Sequence, residues 1–254
     1  MSYNYYQPLT TFGWLAIVGL ALSALCDLLS VFLGLGQIVS PDFIIDLEGP
    51  YSFWLLAQSF VAVANIPVYL LTAIFFLMWL NKANKNLTPL GADYLEFSSG
   101  WAVGWWFVPF ANLVKPFQVV KEVWRESDPE IAESSGFLSN VAGGAPGYIA
   151  LWWGLWIVSN IFNNIAARAS EATSTASIQL SGAVFAASGA TGVAAAVLAI
   201  MVVRDITKRQ ELRFARIGMR RNQEPPPPPV FGGQGGQGGW PAGENKPAAF
   251  GGNQ

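Results

Sequence analysis

In the run GLALSALCDLLSVFLGLG one carboxylate, Asp27, interrupts an otherwise uncharged apolar stretch. A charge inside hydrocarbon costs several kcal/mol, so such a group faces other protein or a watery cavity and marks proton or solute handling by default. Gly19, Ser23, Asp27, Ser30 and Gly34 recur at helical spacing and form one small, polar stripe. Gln58, Asn65 and Thr72 lie seven apart and form a second. Asn160, Asn163, Asn164 and Arg168 sit late in a third apolar run. Brought together, these residues would line a pocket for a proton or a small solute, centred on Asp27. The competing reading is structural: small residues let helices approach, and polar side chains hydrogen-bond across them. The second is favoured, because the charge pairs of a coupled transporter are missing.

Other chemistry finds little support. The chain has no histidine, which removes the commonest general base and a common metal ligand. Its one cysteine, Cys26, cannot form an intrachain disulfide. No zinc motif, nucleophile elbow, phosphate loop or dinucleotide fingerprint is present. Asp93, Glu96, Glu122 and Glu126 fall in surface-like segments where solvation accounts for them. No catalytic residue, metal site, cofactor or nucleic-acid partner is therefore expected, and the protein is read as not an enzyme. Trp101, Trp105, Trp106, Trp152, Trp153 and Trp156 would suit a quinone or lipid pocket, but an interfacial aromatic belt with ordinary packing is favoured.

The elements that must position these residues are membrane helices. Of 254 residues 12% are charged and 52% hydrophobic, whereas a soluble domain carries about 25% charged residues. Spanning a bilayer takes ~20 predominantly apolar residues as helix. Four windows qualify: 12–35, 52–80, 148–167 and 180–203. Residues 1–11 form a short N-terminal tail without the basic start of a signal peptide, so the first window reads as an uncleaved span. Residues 12–222 are one membrane domain that ends in a basic juxtamembrane helix, 204–221. Residues 223–254 are a Pro/Gly-rich tail expected to be disordered.

Between the second and third windows the stretch 100–126 raises a separate question. Its uncharged part, Trp101 to Val114, is too short to span and suits a re-entrant or interfacial segment. Leu113, Phe117, Val120 and Trp124 then recur at helical spacing, with Lys115, Gln118, Glu122 and Arg125 facing away, as in an amphipathic helix. Pro109 and Pro116 bracket the change. The expected hairpin uses Gly100, Trp101, Gly104, Trp105, Trp106, Pro109, Asn112 and Pro116, with Gly100 and Gly104 as a weak close-contact pair and Asn112 capping the returning helix. Basic residues support four spans with both termini cytoplasmic. Lys82, Lys85, Lys115, Lys121 and Arg125 precede the third span, seven more follow the fourth, and the first loop holds only Asp42, Asp46 and Glu48.

WLNKANKNLTPLGA, FSSGWAVGWWFVPFANLVKPFQVVKEVWRES, LWWGLW and VVRDITKRQ together resemble a bacterial family called domain of unknown function 4328. The resemblance runs from roughly Phe75 to Gln210, and the GWAVGWWFVPFANLVKPFQ block is its most specific part. It implies a small multi-span membrane protein with a Pro/Gly-rich tail, without a settled activity or catalytic residues.

The expectation is thus an all-α, polytopic inner-membrane protein with four transmembrane helices and a cytoplasmic-side re-entrant hairpin. Its leading role is a non-enzymatic scaffold or accessory subunit; the alternative is a small channel or carrier whose polar path includes Asp27. Expected partners are the lipid bilayer, other membrane proteins or further copies, and a cytoplasmic protein for the tail.

Overall fold

The computed structural model describes residues 5–39, 51–130, 144–169 and 175–223. The acidic first loop, the proline-rich tail and the Arg168 side chain lie outside the described residues. Among those described, all regular structure is helical: α1 (Thr10–Val39), α2 (Tyr51–Lys85), α3 (Ser99–Gly104), α4 (Lys115–Glu126), α5 (Gly147–Ala169) and α6 (Thr175–Gln223). Two 3-10 turns, Trp105–Phe107 and Ala111–Leu113, join α3 to α4.

Three helices are long and apolar enough to cross a membrane: Thr10–Val39, Leu56–Lys85 and Thr175–Met219. Helix is the form that satisfies every backbone amide within its own segment when no water is at hand. Their outer faces carry large apolar side chains, among them Trp14, Val18, Leu22 and Phe32 on α1 and Phe60, Val63, Ile66 and Leu70 on α2. So large an exposed apolar surface suits lipid rather than water. The fourth expected span corresponds to α5, 23 residues, or about 35 Å of helix. The basic segment expected as a separate helix continues the last span without a break, so that α6 runs for 49 residues.

The bundle order is α2–α1–α6–α5: α1 packs on both α2 and α6, and α5 on α6, while α2 and α5 do not pack lengthwise. The α1–α6 contact depends on glycine. A Cβ on Gly34 would sit 2.5 Å from the Gly182 carbonyl oxygen, and one on Gly182 would sit 2.6 Å from the Gly34 oxygen. The small stripe on α1 therefore serves two neighbours, since Gly19 meets Thr72 of α2 while Gly34 meets α6.

At the end of the bundle that carries Lys82 and Arg209, α3, the turns and α4 fold against α2, α5 and α6. Trp79, Leu80, Val119, Val120, Val123, Ile149, Val202 and Ile206 are fully buried there. The Trp153 indole N–H donates to the Leu113 carbonyl at 2.8 Å and pins the turn to α5. Phe110, at the turn, has φ of 64°, and it is exposed together with Phe107, Leu113 and Val114.

Several details of this hairpin correct the sequence reading. Val114, with no side-chain cap, starts α4, and Asn112 bonds only through its backbone N–H, to Val108. Leu113 is exposed, whereas Val119 and Glu122 are buried, and the Gln118 amide oxygen is buried as well. The buried face of α4 is rotated because the 92–98 connection lies over Glu122. That carboxylate accepts hydrogen bonds from the backbone N–H groups of Glu96 and Phe97. Nor do Gly100 and Gly104 let helices approach: a Cβ on Gly100 would meet open space, and Gly104 faces only the Trp101 ring.

Candidate functional site

Where α2 and α5 do not pack on each other, a cavity of about 190 Å³ lies between them, with α1 and α6 as its back wall. Ser23 and Asp27 come from α1, Asn65, Tyr69 and Thr72 from α2, and Ser159, Asn160 and Asn163 from α5. α6 presents Gly192, Ala195, Ala196 and Ala199, a wall without bulk. Phe76, Trp106, Trp152 and Trp156 close the end nearest the hairpin. These rings brace one another, Trp106 meeting Phe76 at 5.6 Å edge-on and Trp156 at 6.0 Å.

The carboxylate of Asp27 rests on Gly192. A Cβ there would lie 2.8 Å from the carboxyl carbon, so only a glycine leaves the space that the side chain occupies. Among the described residues, Asp27 has neither a hydrogen bond nor a charged partner. The Asn65 amide is likewise without a partner. The other polar groups do find partners. Ser23 and Thr72 hydroxyls meet at 3.3 Å, the Asn160 amide donates to the Trp156 carbonyl at 2.6 Å, and Ser188 donates to the Asn163 oxygen at 2.7 Å.

Of the residues singled out by sequence, Asp27, Asn65, Asn160 and Asn163 share this cavity. Gln58 does not: it accepts from the Gln37 amide at 3.0 Å, near the far end of α1. Asn164 is exposed and donates to the Asn160 carbonyl at 2.8 Å. The tryptophans pack on one another, as Trp106, Trp152, Trp153 and Trp156 do, and three of them line the cavity. Trp101 is exposed and lies tilted against Trp105, ring centres 4.6 Å apart. Tyr69, Ser159 and the aromatic end were not singled out as cavity residues. Trp152, Trp156, Ser159 and Asn163 recur at steps of three and four, which puts them on one helix face; that spacing was the available signal.

A second polar cluster lies beyond the aromatic end. The Asn86 amide donates to the Gln7 carbonyl at 2.8 Å and to Gln210 at 3.1 Å, and its oxygen accepts from the Gln7 N–H at 2.9 Å. Gln210 in turn donates to the Ala83 carbonyl at 2.8 Å and to Ser127 at 3.0 Å. Asn81 and Asn84 donate to the carbonyls of Ser99 and Phe97 at 2.7 and 3.3 Å. The asparagines of NKANKN thus tie the N-terminal segment, the 92–98 connection and α6 to the end of α2.

Fold and cavity together define a class: apolar helical bundles of the kind that crosses a membrane more than once, with a polar chamber between the helices. Residues 54–208, well over half of the chain, match the family described as domain of unknown function (DUF4328). The chain belongs to that family. The match begins earlier in α2 than the quoted blocks do, and α1, with Asp27, precedes it. Comparisons with curated proteins and with solved structures give no match.

Proposed function

We propose that the chain is a four-span protein of the bacterial inner membrane that binds a small solute between its helices, as a carrier or channel core. The observation that carries this reading is the unpaired carboxylate of Asp27 facing a chamber. A structural polar group in a membrane bundle is there to hydrogen-bond to a neighbouring helix, as Ser188 does to Asn163. Asp27 makes no such bond, so a scaffold role leaves its cost unexplained. α5 serves as the fourth span, the termini lie in the cytoplasm, and the hairpin enters the inner leaflet through its exposed Phe107 and Phe110. The positive-inside pattern supports the orientation, and the apolar tip supports the insertion.

Thiol labelling in a Cys26→Ala background tests both parts. Single cysteines at Ser98 and Gly218 are expected to react from the cytoplasmic side, and those at Val39 and Thr175 from outside. Opposite sides for Ser98 and Gly218 would end the four-span topology. Asn65→Cys is expected to react with a water-soluble reagent at least about tenfold faster than Ala16→Cys, which is fully buried in α1. Equal protection of the two would make the chamber a closed core and return the molecule to a scaffold.

A further inference from the structure

Resting on the reading of the chamber as a ligand site, we infer that its ligand is a lipophilic organic cation, whose head sits at Asp27 and whose tail leaves through the gap between α2 and α5. Among the described residues that line the chamber, Asp27 is the one carboxylate, and none is basic. An anion placed there would meet an unscreened carboxylate, and a neutral ligand would leave that carboxylate uncompensated in a low-dielectric site. A bare metal ion also fits poorly. Among the described residues no group of three His, Cys, Asp or Glu side chains gathers, and hard cations take six or more oxygen ligands. An ammonium or aromatic cation asks instead for one carboxylate and ring faces, and Trp106, Trp152, Trp156 and Tyr69 supply the rings.

Size and access narrow the class further. At about 190 Å³ the chamber is near the ~150 Å³ that accepts benzene and below the ~300 Å³ of an ordinary ligand pocket. It holds a head group and little more. On the α2 side of that gap, exposed Ile66 and Leu70 adjoin the chamber-lining Asn65 and Tyr69. An alkyl chain laid there stays in hydrocarbon while its charged end reaches Asp27.

The probe is dodecylpyridinium, whose ring quenches indole fluorescence, added to the full-length protein in neutral-lipid nanodiscs. Saturable quenching is expected, weakened at least about tenfold by Asp27→Asn and about threefold or more by Trp156→Leu, the loss of one ring–cation contact. Ala196→Trp, which fills the chamber, is expected to abolish it. Equal affinity in the wild type and Asp27→Asn, or equal affinity for dodecyl sulfate, would overturn the cation assignment. If dodecanol still competed in a manner blocked by Ala196→Trp, the chamber would stand as a ligand site for another class. Tetramethylammonium binding as tightly as dodecylpyridinium would overturn entry through the gap. Indifference of every probe to Ala196→Trp would overturn the ligand site itself.

Discussion

Two polar clusters lie on either side of the Trp106–Trp152–Trp156 layer, and they differ in how their central side chains are partnered. At the basic end Asn81, Asn84, Asn86, Gln210 and Glu122 are each matched to protein partners, mostly backbone groups. In the chamber Asp27 and Asn65 have none. The first arrangement converts buried amides into cross-links between distant segments. The second leaves interaction energy unused until something arrives. Polarity alone does not separate the two; partner satisfaction does.

Substitutions measure that difference. Asn86→Leu strands the Gln7 N–H and carbonyl and the Gln210 oxygen, at about 1–3 kcal/mol for each buried group. A loss of roughly 3 kcal/mol or more is expected, read as a large drop in the thermal aggregation midpoint in a fixed detergent. Little change there would mean that the basic end is not the stabilising cluster. Gly192→Ala comes next: its methyl would collide with the Asp27 carboxylate. Overpacking of this kind costs about 1–3 kcal/mol. Asp27→Asn in the Gly192→Ala background should recover none of this, because the amide has the same shape, whereas Asp27→Ala should recover most of it.

Smaller still as a loss is Asp27→Asn on its own, expected to leave stability unchanged or to raise it, since no bond is lost and a charge without a partner is removed. A loss as large as that of Asn86→Leu would erase the contrast and make Asp27 a structural clip. The smallest effect is a pH dependence at Glu122. Burial raises its carboxyl above the ordinary 4.5, partly offset by the N–H groups of Glu96 and Phe97. A raised value means that the folded protein holds the proton more tightly than the unfolded chain does. This stabilisation is therefore full below about 4.5 and is lost as pH rises through the folded value. Midpoints measured between pH 4 and 7 should fall less in Glu122→Gln than in the wild type.

The sequence made the helices legible because hydrocarbon imposes composition: the windows 12–35, 52–80, 148–167 and 180–203 lie inside α1, α2, α5 and α6. Helical spacing also placed Asp27, Asn65, Asn160 and Asn163 on faces that turn out to meet. It could not assign partners. Gln58 shares the stripe of Asn65, yet lies two turns away along α2 and bonds to Gln37. The buried role of Glu122 left no trace in side-chain patterning, because its partners are backbone N–H groups of a connection. The same holds for Asn86 and Gln210, which are far apart in sequence and meet through the fold.

The glycine-mediated contact between α1 and α6 also sets a schedule for biosynthesis. The first helix enters the bilayer while its main partner is still untranslated, with α2 to α5 yet to be made. At elongation rates of 5–20 residues per second the wait is roughly ten to thirty seconds. During that interval the face that bears Gly34 and Asp27 lacks the helix that covers it. The bundle closes only when its last helix meets its first, so a chain truncated before Thr175 would keep an open, carboxylate-bearing seam toward lipid and be an early target for membrane quality control.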